Sequence, residues 1–188
     1  MITNCIKCDI CVKRKNIVMG KGNPSSKLIF IGEAPGNTED RTGIPFTGKS
    51  GNLLQVYFNI FNYTLENSYV TNIIKCRPYG YDFKNRQPTE TEILNCSEYL
   101  LDEVRVSKPK IIVTLGAVAL NTLLPRRERF ISHVHGVPIK FGKNIIFPMY
   151  HPSYILRNKE KRVDMFYDFQ KLTTEYRYRI DMFHETNY

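Results

Sequence analysis

The chain has 188 residues, a hydrophobic content of 42%, and a net charge of +9 because lysines and arginines outnumber acidic residues. This length and composition predict a single globular domain. The apolar runs are too short to span a bilayer and no signal peptide opens the chain, so we expect a soluble, intracellular protein that does not bind membranes. The positive charge favours a polyanionic partner, most commonly nucleic acid, over a charge kept for solubility alone.

Strands and helices alternate along the chain in the predicted secondary structure. Strands are predicted at 27–31, 69–74, 110–115, 137–141 and 144–148. Helices are predicted at 51–61, from Thr89 towards Val106, at 116–124 and at about 159–178, and Glu92 completes a capping box at Thr89. This alternation predicts an α/β fold in which helices cover both faces of a parallel sheet. The segment 78–88 is expected to be a flexible loop.

Five cysteines in an intracellular chain indicate metal binding or catalysis before disulfides. Cys5, Cys8 and Cys11 have C-x2-C-x2-C spacing, whereas Cys76 and Cys96 lie much further along the chain. Two thiolates at C-x2-C spacing can share one metal centre, and more distant cysteines can complete a four-thiolate site for zinc or an iron–sulfur cluster. The spacing leaves open whether Cys11 or Cys96 is a ligand or a buried, unligated thiol.

A loop rich in glycine and proline, "FIGEAPGNTEDRTGIPFTG", follows the first strand and carries Glu33, Glu39 and Asp40. In open α/β sheets, ligands bind beyond the carboxyl ends of the strands. Asn72 lies in the second strand and His151 follows the last, so three segments are expected to meet at one edge of the sheet. These polar groups predict a ligand site there; the alternative is a turn with solvated acids.

Several motifs resemble, in order, those of family-4 uracil-DNA glycosylases. They are "CIKCDICVKR", "GNPSSKLIFIGEAPGNTEDRTGIPFTGKSG", "TNIIKCRP", "TLGAVAL" and "MYHPSYILR". The resemblance implies a uracil-DNA glycosylase-like, three-layer α/β/α fold with a central four-stranded parallel sheet. On this interpretation, residues 1–188 form one domain, with a cluster-binding arm at 1–26 and a C-terminal helix at 158–188.

The resemblance also implies an activity. Such an enzyme hydrolyses the N-glycosidic bond of uracil in DNA, leaves an abasic site and thereby initiates base excision repair. Uracil-containing DNA is the implied partner, and we expect a monomer. The alternative is a non-catalytic DNA-binding module on the same fold with a structural metal site.

The family pattern assigns roles around the base. His151 donates a hydrogen bond near uracil O2, Asn72 pairs with the edge of the base, and Phe46 stacks on it. The implied uracil contacts are Gly32, Glu33, Ala34, Phe46, Asn72 and His151.

The carboxylate that acts on water is left open by the resemblance. Glu39 is the best candidate for orienting water or stabilising the sugar cation, with Glu33 and Asp40 as contenders. Ala34 stands where several related families have aspartate, so the usual water-activating group is missing.

The segment after His151 resembles the DNA intercalation loop of the family. It comprises Ser153, Tyr154, Ile155, Leu156 and Arg157. Ile155 or Leu156 would enter the base stack as an apolar wedge while Arg157 contacts phosphate. The basic stretches "PRRERF" and "KRVDMF" could add DNA contacts or be solvated faces, and His133 and His135 are interpreted as surface or DNA-contact residues.

For the cofactor, the family pattern selects Cys5, Cys8, Cys76 and Cys96 as ligands of a structural [4Fe-4S] cluster, with Cys11 left over. The rival set combines Cys5, Cys8 and Cys11 with one distant cysteine. The spacing between Cys76 and Cys96 is longer than is usual in the family, and the extra residues fall in "YGYDFK". The stretch "DFKNRQPTE" lacks the basic loop and nucleophilic histidine of covalently trapping relatives, so a covalent intermediate is not expected.

Overall fold

The computed structural model describes residues 4–124 and 130–177. Within this part of the chain, one sheet contains six strands in the order β1-β3-β2-β4-β6-β5. The strands are β1 (Lys21–Gly22), β2 (Leu28–Gly32), β3 (Tyr69–Asn72), β4 (Ile111–Leu115), β5 (Ile139–Phe141) and β6 (Asn144–Met149). The four central strands are parallel, which confirms the predicted core, and the outer strands β1 and β5 pair antiparallel to it.

Helices connect and cover these strands. They are α1 (Ile10–Lys13), α2 (Asn37–Thr42), α3 (Lys49–Phe61), α4 (Glu90–Ser107), α5 (Ala117–Leu123), α6 (Ile131–Val134), α7 (Pro152–Arg157) and α8 (Arg162–Leu172). The predicted capping box of α4 is confirmed, since Thr89 and Glu92 exchange side-chain and backbone hydrogen bonds. The predicted final helix contains a 3-10 turn (Lys159–Lys161), then α8, then a π-helical turn (Thr173–Arg177).

Alternating side chains of the buried strands produce two hydrophobic clusters, one on each face of the sheet. On β2, Phe30 joins the cluster beneath α3, α7 and α8, where its ring stacks on Phe169 with centroids 6.1 Å apart. Ile29 and Ile31 point the other way, into the cluster formed with α1, α4 and α5. These two clusters confirm the three-layer α/β/α architecture. Within the described residues, no helix has the length and apolar character needed to cross a membrane.

Two of the sequence-based predictions extend outside the described residues. These are the first five residues of "PRRERF", at 125–129, and the end of the predicted C-terminal helix beyond residue 177.

The parallel core places several strand ends side by side. Gly32 at the end of β2 pairs in register with Asn72 at the end of β3. Next to β2, β4 ends at Leu115, and the N–H of the following Gly116 donates to the carbonyl of Met149, the last residue of β6. His151 therefore emerges at the same edge of the sheet as the Gly/Pro loop and Asn72.

Candidate active site

A cavity of about 550 Å³ opens at this edge of the sheet. Many of the predicted site residues line it, namely Glu33, Ala34, Glu39, Phe46, Asn72, His151, Ser153 and Arg157. Gly32 is not among the lining residues, but it lies against two of these side chains, Asn72 and Phe46. Asp40, Tyr154, Ile155 and Leu156 are not among the lining residues.

Gly32 leaves the space in which two recognition side chains meet. A Cβ atom at this position would lie 2.5 Å from Oδ1 of Asn72 and 2.9 Å from Cζ of Phe46. Both distances are shorter than van der Waals contact, so the amide and the ring converge directly over the glycine. A planar amide edge beside an aromatic ring can read the edge of a flat heterocycle while the ring covers its face.

Phe46 is held in an unusual backbone conformation. Its φ angle of 55° lies in the left-handed region, which bulky residues rarely adopt and which costs about 1–3 kcal/mol. Gly51 in α3 packs against the backbone of Phe46 so closely that a Cβ there would lie 1.8 Å from the Phe46 carbonyl oxygen. The packing of α3 thus holds the strained residue with its ring over Gly32.

His151 caps the N-terminus of α7 through its imidazole. Nδ1 accepts a hydrogen bond from the backbone N–H of Ser153 at 3.1 Å and lies 2.7 Å from the hydroxyl of the same residue. An accepting Nδ1 carries no proton, so the proton of the neutral ring resides on Nε2. The ring of His151 is half-buried in the wall of the cavity, and its desolvation by surrounding protein atoms, with a smaller effect of the Arg157 charge, lowers its pKa to about 4. The side chain is therefore a neutral hydrogen-bond donor at physiological pH.

The three carboxylates of the Gly/Pro loop occupy different environments. Glu39 accepts hydrogen bonds from the backbone N–H groups of Gly36, at 3.1 Å, and Gly48, at 2.7 Å, so its two oxygens join the ends of the loop. Asp40 accepts from the backbone N–H of Lys15 at 2.9 Å, outside the cavity. Glu33 lines the cavity, and burial raises the pKa of its carboxyl above the usual value.

The segment 78–88 also contributes to the cavity, through Pro78, Asn85, Arg86 and Gln87. Arg77 organises this segment from below: its guanidinium donates to the Phe83 carbonyl, to Oδ1 of Asn85 and to Oδ1 of Asn37. From the sequence, only a flexible insertion is expected here. Arg77, directly before the loop, was the available signal that the loop is ordered, because a buried guanidinium needs several hydrogen-bond acceptors.

The helix α7 separates the residues of the predicted intercalation segment. Ile155 is completely buried in the core beneath the helix, and this burial favours Leu156 over Ile155 as the predicted DNA wedge. Leu156 is partly exposed and Arg157 lines the cavity. Sequence alone could not choose between Ile155 and Leu156, since the choice depends on how α7 packs against the core.

His135 does not lie on the open surface as interpreted from sequence. Its Nδ1 is 3.0 Å from the carboxylate of Asp168 in α8, and its ring packs on Tyr150 with centroids 4.5 Å apart. Tyr150 in turn stacks on Tyr154 of α7. His135 therefore belongs to a packed cluster that supports the chain on either side of His151.

A second, small cavity is lined by four of the five cysteines, Cys5, Cys8, Cys76 and Cys96, and Cys11 does not line it. The backbone N–H of Lys75 donates to Sγ of Cys96 at 3.2 Å, and the Tyr99 hydroxyl lies 3.4 Å from Sγ of Cys5. Within the described residues, no three histidine, cysteine or acidic side chains are close enough to hold a single metal ion. A cubane cluster spreads its thiolates around several irons, so four cysteines around one cavity fit that group in number and chemistry.

Lys75 connects this cavity with the candidate active site. Its buried ammonium donates to the carbonyl of Asn72 at 2.8 Å and pairs with Glu103 at 2.6 Å. Because the backbone N–H of the same residue reaches Cys96, one residue contacts both the strand end that carries Asn72 and a predicted cluster ligand.

Comparison with known proteins places this arrangement in a family. The model of the uracil DNA glycosylase superfamily matches residues 19–175, and the chain belongs to that superfamily. It is similar to the type-4 uracil-DNA glycosylase of Thermotoga maritima, with 38% identity over 164 residues that cover 86% of this chain and 83% of that protein. It is also similar to the type-4 enzyme of Sulfurisphaera tokodaii, with 38% identity over 194 residues, covering 97% and 86%.

Similarity to another type of the superfamily is lower. The type-5 uracil-DNA glycosylase of Pyrobaculum aerophilum is 28% identical over 148 residues, which cover 70% of this chain and 63% of that protein. The predicted resemblance to family 4 is confirmed by the type-4 relatives.

Proposed function

We propose that this protein is a uracil-DNA glycosylase that hydrolyses the N-glycosidic bond of uracil in DNA and so initiates base excision repair. The observation that carries the proposal is the convergence of Asn72 and Phe46 over Gly32 in a cavity that His151 also lines. Membership of the superfamily and similarity to type-4 enzymes support it.

Recognition of uracil follows from the chemistry of the cavity. The amide of Asn72 accepts from N3–H of uracil and donates to O4, a pair of hydrogen bonds that cytosine would not satisfy in the same orientation. The ring of Phe46 stacks on the face of the base. Because the strained backbone of Phe46 is fixed before DNA binds, little ordering remains to be done when the base enters.

Bond cleavage produces a uracil anion and an oxocarbenium-like sugar. The neutral His151 donates its Nε2 proton in a hydrogen bond to uracil O2, where negative charge develops as the base leaves. Ser153 holds the ring in the required tautomer through its backbone N–H. A neutral donor is suited to this task because it does not require a charged imidazole in a buried site.

Two carboxylates act near the sugar in different ways. Glu33 is supported as the group that faces the sugar cation or its attacking water, since it lines the cavity and burial raises the pKa of its carboxyl. Glu39 is supported as a positioning residue, since both of its oxygens accept backbone hydrogen bonds from the loop. Asp40 lies outside the cavity and has no direct role in this mechanism.

A [4Fe-4S] cluster would be held by Cys5, Cys8, Cys76 and Cys96. When bound, it would supply a structural crosslink between the N-terminal arm, the end of β3 and α4, because hydrolysis requires no electron transfer. Lys75 connects the cluster site with the uracil site, because its backbone N–H donates to Cys96 and its ammonium donates to the Asn72 carbonyl.

Uracil-containing DNA approaches the cavity on the side of Lys49 and Arg157, whose charges attract phosphates, whereas the guanidinium of Arg86 pairs with Glu92. Extrusion of the base leaves a gap in the stack. Leu156 fills this gap in our proposal, and its partial exposure next to Arg157 supports that role.

The proposal is tested with a single-uracil oligonucleotide incubated with the purified protein and then treated with alkali, which breaks the strand at an abasic site. Strand breakage at the uracil position, and none in the matched thymine oligonucleotide, is the expected result. Binding of the oligonucleotide without breakage would instead favour the non-catalytic DNA-binding module.

A further inference from the structure

Two aromatic side chains project into solvent from the segment between β3 and α4. Tyr81 is 96% exposed and Phe83 is 74% exposed, and we refer to this pair as the aromatic tip. Tyr81 removes almost no apolar surface from water and so contributes little to the stability of the fold. Phe83 stacks on Tyr79, with ring centroids 6.0 Å apart, but most of its surface remains exposed. Packing within the fold therefore does not account for the exposed rings of the aromatic tip, which are free to contact a binding partner.

The aromatic tip is held in place by its own turn. The N–H of Gly80 donates to the carbonyl of Lys84, Tyr79 forms a β-bridge with Asn85, and the Phe83 carbonyl accepts from the buried Arg77 guanidinium. Phe83 itself has a φ angle of 57°, which a bulky residue adopts only where its surroundings impose it. The chain thus presents these rings at a defined place.

The same turn leads directly into the cavity. Asn85 and Arg86 line it, and Tyr81 precedes Asn85 by few enough residues that their Cα atoms lie at most ~14 Å apart. Successive bases of a DNA strand rise by about 3.4 Å in the duplex. The aromatic tip is consequently within reach of nucleotides near one bound in the cavity.

The charges around the aromatic tip favour an anionic partner. The ammonium of Lys13 lies over one face of the Tyr81 ring, 4.6 Å from its centroid. Lys84 pairs at 3.4 Å with Asp82, which lies between the two aromatic residues, so Lys13 supplies the net positive charge of these three side chains. One face of Tyr81 is thus next to a cation, while the ring remains almost fully exposed. Bases stack on exposed rings, and lysines next to those rings contact phosphates, in proteins that bind single strands.

We propose that the aromatic tip is a second DNA-contact element, on which an unpaired base close to the extruded uracil stacks. The proposal rests on the uracil-DNA glycosylase function proposed above and adds a contact that the predicted intercalation segment does not provide. A single-stranded substrate is favoured, because its bases expose faces that duplex stacking would cover.

The test uses a single-stranded oligonucleotide with one 2′-fluoro-2′-deoxyuridine, in which the fluorine resists cleavage by destabilising the sugar cation. 2-Aminopurine, whose fluorescence is quenched by stacking, is placed in turn at neighbouring positions on either side. We expect the parent protein to quench one of these positions. Tyr81→Leu and Phe83→Leu should reduce quenching and weaken binding by about 5-fold or more, the scale for losing one base–aromatic stack.

Two control variants make the result specific to stacking. Tyr81→Phe keeps the ring and should keep the quenching, whereas Tyr167→Leu removes a ring that is 61% exposed on α8 and should change neither signal. Parental binding and quenching in both Tyr81→Leu and Phe83→Leu would overturn the proposal and assign the aromatic tip to a partner other than DNA. Uracil excision by the parent, assayed separately, distinguishes this failure from failure of the proposed function, which would overturn both.

Discussion

The backbone N–H of Ser153 donates to Nδ1 of His151 over 3.1 Å, two residues along the chain. This short-range contact fixes the tautomer of the ring, because the N–H of a peptide can only donate. The remaining proton on Nε2 is then available to a ligand in the cavity. The side chain of His151 thus both caps α7 and serves as the proposed hydrogen-bond donor to uracil.

Replacement of His151 by alanine should lower the single-turnover rate of uracil excision by about 10²-fold or more, the scale for losing one donor to a developing negative charge. Rapid-quench measurements at saturating enzyme give this rate directly. An unchanged rate in His151→Ala would remove this residue from the mechanism.

The ionisation of His151 provides a separate prediction. Burial lowers its pKa to about 4, so the ring should stay neutral as the pH falls through 6.5 and become protonated only near 4. Between these values the unfolded chain binds more protons than the folded one, so the contribution of His151 makes the free energy of unfolding rise with pH. An NMR titration of the imidazole, assigned by comparison with His151→Gln, measures the midpoint. A midpoint near 6.5 would contradict the buried, neutral state.

Asn72→Asp should impair the recognition of uracil. An ionised carboxylate can accept from N3–H but cannot donate to O4, so a buried hydrogen bond is lost at a cost of about 1–3 kcal/mol, or roughly 5- to 150-fold in rate. Some activity on cytosine should appear, since its amino group is a donor. Parallel excision assays on uracil and cytosine oligonucleotides measure both effects, and parental activity on uracil would refute this placement of Asn72.

Glu33 and Glu39 should respond differently to replacement by glutamine. Glu33→Gln should lower excision by about 10²-fold or more, yet leave the free energy of unfolding equal or higher, because burial already disfavours its charged form. Glu39→Gln should lower the free energy of unfolding by about 1–3 kcal/mol, because an amide cannot accept both backbone hydrogen bonds.

Thermal or urea denaturation, paired with single-turnover excision, separates these two roles. Asp40→Asn serves as the matched control for a carboxylate outside the cavity. A stable but inactive Glu39→Gln, together with a fully active Glu33→Gln, would reverse the assignment.

The cysteine assignment is tested by metal content. Protein purified without oxygen should be brown, with broad absorption near ~400 nm typical of thiolate-ligated iron–sulfur centres. Cys11→Ser should retain iron and colour, because Cys11 does not line the cavity shared by the other four cysteines. Cys96→Ser should lose both. The opposite pattern would support the rival ligand set, and bound zinc without sulfide would reject the cluster.

The parallel core could be predicted from sequence because each of its strands is a short apolar run between turn residues. β1 could not, since Lys21–Gly22 is too short to show any periodicity and forms only by pairing with β3. The capping box at Thr89 could be predicted because all of its hydrogen bonds form within four consecutive residues, without a distant partner.

The candidate site shows the same division between local and distant contacts. Ordered motifs identified Phe46, Asn72 and His151, and the contact between Phe46 and Gly51 of α3 also lies within one of these motifs. The pairing of His135 with Asp168, and the burial of Ile155, depend on how distant helices pack. Such long-range contacts leave no trace in the spacing of residues along the chain.

The bare backbone at Gly32 limits how this pocket can evolve. Every replacement of a glycine adds a Cβ atom, and at this position that atom would collide with Asn72 and Phe46. A missense change in the Gly32 codon therefore displaces the ends of the two side chains proposed to contact the base, even where the fold itself absorbs the shift. Residues that line the cavity can change one at a time without this displacement, so natural variation is expected there before it is expected at Gly32.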